Sequence, residues 1–283
     1  KVSEYIKNEE ALYLYQNKTE FLKAKTTNEL RQKNGVRIKT LSKTKILDLE
    51  PNLAPVFYNG QIFVGSRHTT NPFMISKRIF ETFINNGGEF IQTHVDDLTA
   101  EDDSVNLNLN NNNHKFEKVI ICAGAWSNNL SKKIGESFPL DSERGYHVMF
   151  NNHELINRPI GWSQSGFYLV QLEEGLRAAG TVEIAGLSKP ENKKRIQMIE
   201  SQARRLLQKH NEEKRTRLGI KTTLPDSLPK KKKKKKNKNI IYAFGHQHIG
   251  WTLGAVTGKI INSICNERVP NINIEPFSPS RFN

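Results

Sequence analysis

The sequence is poor in the features that mark several large protein classes. It has two cysteines, Cys122 and Cys265, far apart in 283 residues, which suits a reducing compartment better than a disulfide framework. No stretch approaches the ~20 consecutive apolar residues a spanning helix needs. The longest candidates, residues 119–126 and 240–244, have the length of buried strands. The chain starts at Lys1 and runs on as KVSEYIKNEEALYLYQN, which carries neither the apolar stretch nor the cleavage site of a signal peptide. It reads as the middle of a helical domain, and the chain as a fragment. His147, His246 and His248 have no cysteine or carboxylate companions at ligand spacing, so no metal site is expected.

Charge is the one extreme value. The formal net charge is +14, but eight lysines at 230–236 and 238 supply most of it and leave +6 elsewhere. That remainder is ordinary for the length. A lysine homopolymer is expected to be solvated and locally disordered, with electrostatic contact to a membrane or nucleic acid as the alternative. Basic residues do not interleave with aromatics and no recognition motif is present, so no nucleic-acid partner is expected.

With 36% hydrophobic residues, the chain can bury a large core in one or two domains. Helix and strand patterns alternate along it. Asn71 and Pro72 offer an N-cap and a first-turn proline, Ile75, Ile79 and Phe83 recur at four-residue spacing, and Gly87-Gly88 stops the helix. Residues 90–95 read as a strand. Val105, Leu107 and Leu109 alternate with polar residues before a turn at 110–113. Residues 118–122 read as the return strand, apolar from Val119 on, and so are expected to be buried on both faces. FYLVQL reads as a strand ending in a turn at 173–175, and a helix begins near Pro190 with Ile196, Ile199, Ala203 and Leu206 on one face. The expected fold class is α/β (mixed α+β).

Residues 240–259, IIYAFGHQHIGWTLGAVTGK, take an apolar strand into glycines that open a helix. Gly245 and Gly250 let the main chain turn and approach a ligand, and Gly254 and Gly258 let a helix pack tightly. Amides at such a helix start can hold an anionic or electron-rich group, although a glycine-tolerant helix packed on a sheet has the same spacing. At 119–127, VIICAGAWS ends a strand on Ala123, Gly124 and Ala125, small enough for close approach at the carboxyl edge of a sheet.

Together these two segments resemble the D-amino-acid oxidase superfamily of FAD-dependent oxidoreductases. LDLEPNL, RHTTNP, ERGYHV, GTVE and TLPDSLP, in this order, resemble its bacterial D-amino-acid dehydrogenase branch most. The resemblance covers nearly the whole chain and implies an incomplete Rossmann-like FAD-binding domain (67–137 and 226–283) interleaved with an antiparallel-sheet substrate domain (1–66 and 138–225). The family's amino-terminal strand, GxGxxG turn and ribose-binding acidic residue are absent from Lys1 to Asn283.

By resemblance, the cofactor FAD is contacted at Val95, Cys122, Ala123, Gly124 and Trp126 on the nucleotide side. On the flavin-ring side the matching positions are Gly245, His246, Gly250, Trp251 and Thr252. The family's carboxylate-binding arginine corresponds to Lys221, which keeps the charge without the planar two-point grip. Tyr146 is the candidate substrate hydroxyl, the alternative being a strand tyrosine with its ring in the core. The implied reaction is hydride transfer from a D-amino acid to flavin, giving a 2-oxo acid and ammonia. Electrons leave to a quinone-type acceptor or to dioxygen. Sarcosine, glycine or hydroxyproline-type amines are the alternative substrates, and a non-catalytic flavin-fold fragment is the alternative of a different class. The expected location is cytoplasmic, with peripheral contact at the inner face of the plasma membrane open to a protein that must reach a quinone.

Overall fold

A computed structural model describes residues 2–151, 154–163, 165–208, 214–229 and 238–282. The lysine run at 230–236 lies outside the described residues. The chain divides into two compact units. Unit 1 comprises Lys1–Phe90, Gly145–Val182 and Pro190–Leu218, and unit 2 comprises Ile91–Arg144, Glu183–Lys189 and Gly219–Asn283.

In chain order the first elements are β1 (Ile6–Lys7), β2 (Leu12–Tyr15), α1 (Lys18–Lys23), α2 (Lys25–Lys33), β3 (Ile38–Ser42), α3 (Lys43–Leu49), β4 (Asn59–Phe63), β5 (His68–Thr69) and α4 (Pro72–Asn85). The amino-terminal residues are therefore a short 3-10 turn and strands, not the expected helix. Leu12 and Leu14 alternate with Tyr13 and Tyr15 at period two, and pairing on both sides of β2 fixes them as strand. Asn17 caps α1, accepting from Glu20 N at 2.9 Å, and Asn71 caps α4, accepting from Met74 N at 3.0 Å. Gly87, at φ +85°, ends α4 with its N–H on Ile84 O at 2.9 Å and that of Gly88 on Phe83 O at 3.0 Å. Of the spacing Ile75, Ile79, Phe83, only Ile75 is buried, and the other two open to solvent.

Next come β6 (Val95–Ala100), β7 (Val105–Leu109), β8 (Asn112–Phe116), β9 (Val119–Ile121), α5 (Ser127–Lys133), β10 (Asp141–Phe150), β11 (Ile160–Trp162), β12 (Phe167–Leu172), β13 (Gly175–Ile184), α6 (Lys193–Leu206), β14 (Lys214–Thr223), β15 (Ile240–Tyr242) and α7 (Gly250–Cys265). The strand expected at 90–95 begins only at its last residue, Val95, because pairing with β7 starts there, opposite Leu109. Asn110 and Asn111 close the β7–β8 hairpin at φ +49° and +65°, a left-handed pair that asparagine tolerates.

Eight strands form one sheet in the order β14-β10-β13-β12-β11-β2-β4-β3. In unit 1 its core gathers Leu12, Leu14, Val148, Phe150, Trp162 and Leu169 with Ile199, Ala203 and Leu206 of α6. Each fully buried leucine or phenylalanine of this set contributes about 2–3 kcal/mol relative to exposure.

Unit 2 is held by two apolar clusters on opposite sides of β15. Ile240, Tyr242 and Phe244 join Leu98, Val105, Ile121 and Phe138, whereas Ile241 joins Ile260, Ile261 and Ile264 of α7. Strand side chains alternate between faces, so this strand is apolar throughout because both its faces are covered. β9 does not meet the same expectation: Ile121 is buried, but Ile120 is 42% exposed. Its one partner among the described residues is β15, in parallel register Ile120↔Ile241. Gly254 and Gly258 also depart from expectation, since a Cβ at either would meet nothing within 4 Å.

Among the described residues Glu50 is the most buried acid of unit 1, 1% exposed, and accepts from Asn157 N and Arg158 Nε at 2.9 Å each. Replacing it by alanine strands the Arg158 guanidinium, whose side chain is only 14% exposed. Glu50→Ala is expected to cost about 3–5 kcal/mol in urea unfolding. A loss below about 1 kcal/mol would mean that water takes over the guanidinium's hydrogen bonds.

Candidate functional site

The parallel pair β9–β15 sets the site. Val119↔Ile240 and Ile121↔Tyr242 are in register, Val119 N donates to Asn239 O at 2.8 Å, and Ala243 N donates to Ile121 O at 3.0 Å. The two strands end at the same edge and release 122–124 and 243–247 side by side. The carboxyl end of parallel strands is where open α/β sheets bind ligands.

A cavity of about 260 Å³ opens there, all within unit 2. Cys122 and Gly124 line it from the first loop, residues 243–247 from the second, and Ile220, Lys221 and Thr222 from β14. Gly245 sits at φ +85°, and a Cβ there would lie 2.6 Å from Leu224 Cδ1, so the turn admits only glycine without repacking. Gly124, at φ +52°, faces Thr222 Oγ1 at 3.7 Å from an ideal Cβ. Gln247 takes φ +49° without being glycine, and its side-chain amide donates to Thr223 Oγ1 and Ser227 Oγ. Those bonds tie the second loop to the last residue of β14 and to the segment after it.

His246 has its ring fixed by a 3.0 Å hydrogen bond between Nε2 and Thr257 Oγ1 on α7. His248 Nδ1 lies 3.2 Å from Glu143 Oε2. Partial burial, and then the nearby Lys221 ammonium, hold the His248 pKa below its ordinary value, against the opposing pull of Glu143. Beyond this turn, α7 starts at Gly250 with no side-chain cap from Ile249, so the first amides of a 16-residue helix are offered without a side-chain acceptor from the cap.

Of the residues singled out in the sequence, Lys221, Cys122, Gly124, Gly245 and His246 come together around this cavity. Ala123 and Trp126 belong to the 3-10 turn after β9, with Trp126 half-exposed. Gly250, Trp251 and Thr252 form the first turn of α7 and do not line the cavity. Val95 is the first residue of the β6–β7 hairpin and is likewise outside the lining. Tyr146 is placed in the core of unit 1, 1% exposed, with its hydroxyl accepting from Asn192 N at 3.1 Å beside the start of α6. His147 lies next to it on β10. Among the described residues no group of three or more His, Cys, Asp or Glu is arranged to hold a metal ion.

Thr222 and the pairing of Glu143 with His248 had no sequence signal, since both come from contacts across distant segments. Arg144 lies in the ERGYHV segment with no role assigned to it there: it is 1% exposed, and among the described residues its Nε and Nη1 have no hydrogen-bond partner.

Residues 6–264 match the profile of a family described as FAD dependent oxidoreductase (DAO). A D-amino-acid oxidase of Bradyrhizobium diazoefficiens is 30% identical over 260 residues, covering 89% of this chain and 62% of the relative. A D-amino acid dehydrogenase of Paramagnetospirillum magneticum is 25% identical over 282 residues, covering 96% and 66%. The chain thus spans about two thirds or less of the length of these curated relatives. Among solved structures, glycine oxidase from Geobacillus kaustophilus superposes with a TM-score of 0.89 at 18% identity, covering 98% of this chain and 76% of that one. L-proline dehydrogenase from P. horikoshii gives 0.83 at 19%, covering 99% and 79%. At these identities the structural likeness shows the fold.

The charges around His248 give a direct test. Lys221→Gln removes a cation that disfavours the imidazolium, so the His248 midpoint is expected to rise; Glu143→Gln removes the opposing anion, so it is expected to fall. The imidazole Cε1 proton followed by NMR across the titration reads both. Midpoints unmoved by either change would show that the three groups do not interact in solution.

Proposed function

Because the chain belongs to the family of FAD dependent oxidoreductases, we propose that it forms part of a flavoenzyme that converts D-amino acids to 2-oxo acids and ammonia. Its electrons pass to a quinone-type acceptor in this reading. The observation that carries it is the cavity at the carboxyl edge of β9–β15, where the cation Lys221 meets the Gly245–His246 turn. The residues present fit the ring end of a flavin. Gly245 holds a turn that a side chain would block, and the start of α7, which no side chain caps, offers N–H groups to an electron-rich edge. No GxGxxG occurs in the sequence, so the fit does not extend to the pyrophosphate.

FAD, when bound, supplies the acceptor for two electrons and the α-hydrogen. Gly245 and His246 would lie against its ring, with Gly250, Trp251 and Thr252 presenting amides to negative charge; Cys122, Ala123, Gly124, Trp126 and Val95 would take the nucleotide side. His246 is held for this by Thr257. Lys221 binds the substrate carboxylate as a point charge and so sets where Cα lies. The substrate ammonium gives a proton to solvent, the freed lone pair forms the C=N bond as the α-hydrogen leaves with its electron pair, and water then replaces nitrogen to release ammonia. Tyr146, with its ring in the core of unit 1, serves packing in this reading.

The relatives support an amino acid as substrate and differ on the acceptor, one being named an oxidase and the other a dehydrogenase. Dioxygen is therefore the second reading for the acceptor. No described helix is long and apolar enough to cross a membrane.

Protein carrying this sequence and loaded with FAD is expected to lose its flavin absorption on anaerobic addition of D-alanine, and not of sarcosine. The reverse result would reassign the substrate, and no bleaching by either would remove the catalytic reading. Lys221→Ala is expected to raise the apparent KM for D-alanine about tenfold or more, as a lost charged hydrogen bond requires, with flavin content unchanged. An unaltered KM would exclude Lys221 as the carboxylate anchor.

A further inference from the structure

Unit 1 contains a second concavity, a groove of about 320 Å³ between α1–α2 and the β3–β4 edge of the large sheet, which shares no residue with the cavity of unit 2. Its floor is polar and buried: Asn28 is 6% exposed and Gln61 7%. The hydrogen bonds below that floor settle which way each amide points. Arg31 can only donate, and its Nη1 lies 2.8 Å from Asn28, which must therefore turn its Oδ1 towards the guanidinium. That leaves Asn28 Nδ2 facing Gln61, at 2.7 Å from Oε1, which also accepts from the Tyr15 hydroxyl at 2.6 Å. Gln61 Oε1 is thereby filled, and its Nε2 donates to Thr40 Oγ1 over a long 3.4 Å, short of a strong bond. Gln61 and Thr40, each carrying a side-chain donor, both line the groove.

The rim adds charges of both signs in a fixed order. Lys25 and Glu29 stand one helical turn apart on α2, with Nζ and Oε1 3.9 Å from each other. Phe21 and Ile38 supply half-buried apolar walls. Donors on the floor with an ammonium beside them suit a carboxylate, a carboxylate one turn on suits an ammonium, and the walls suit a hydrocarbon side chain. We propose that this groove binds a free α-amino acid with an apolar side chain, held as the zwitterion by Gln61, Thr40 and Lys25 at its carboxylate and by Glu29 at its ammonium. The assignment is independent of the reaction catalysed in the other unit.

Calorimetric titration of the full chain with L-leucine, the enantiomer that the proposed reaction does not consume, tests it. Saturable binding with a Kd on the order of 1 mM is expected. Gln61→Glu keeps the oxygen that Tyr15 and Asn28 need and replaces the amide donor by an acceptor, so it is expected to weaken binding about tenfold. Glu29→Gln is expected to weaken L-leucine about threefold and to leave 4-methyl-2-oxopentanoate unaffected, since the oxo acid has no ammonium. Lys221→Ala, in the other unit, is expected to leave the Kd for L-leucine in this groove as it is. Absence of saturable heat in the parent chain overturns the proposal, as does binding that survives Gln61→Glu with the fold intact by circular dichroism, or binding that disappears with Lys221→Ala. Should Gln61→Glu fail to fold, the exposed change Lys25→Glu reads the same carboxylate and is expected to cost about fivefold, an unchanged Kd again overturning it. Equal loss of both ligands in Glu29→Gln would overturn the zwitterion assignment.

Discussion

The burial of β15 on both faces is the constraint on which unit 2 depends. Ile240, Tyr242 and Phe244 cannot leave the Phe138 cluster, nor Ile241 the α7 cluster, without exposing apolar surface worth several kcal/mol. The strand is therefore fixed in rotation and in register. Its parallel partner β9 is fixed with it, and the loops that follow both strands must emerge together. The left-handed turn at Gly245, the bond from His246 to Thr257 and the start of α7 follow from where that strand stops. The cavity is a by-product of packing as much as of polar chemistry.

Where the sequence carried a strong local rule, it matched the structure. Asn71-Pro72 before α4, Gly87-Gly88 after it, and the Phe167–Leu172 strand with its turn each satisfy backbone hydrogen bonds within a few residues, and no distant segment can easily override them. The amino terminus failed for the opposite reason. Residues 12–15 are strand because β4 and β11 flank them, and both partners lie far away in sequence. β9 shows a third case: a continuous apolar run states that side chains avoid water, but what covers each face is a tertiary fact, and Ile120 is left half open.

The candidate site was legible in the same uneven way. Glycines marked the turn at Gly245 because positive φ is demanded there, and the small residues after β9 marked Gly124. Lys221 was visible only through resemblance. Gln247 adopts a left-handed conformation that no residue preference announces, and its two hydrogen bonds to Thr223 and Ser227 hold it there. Electrostatic coupling among Lys221, His248 and Glu143 joins three segments that no spacing rule connects.

The outer side of β9 has a consequence for handling the molecule. With β15 as its one described partner, β9 presents backbone donors and acceptors along one edge, and Ile120 places hydrocarbon beside them. Natural sheets blunt such an edge with lysine, proline or a bulge, and Val119–Ile121 contains none of these. An edge of that kind is a template for another strand.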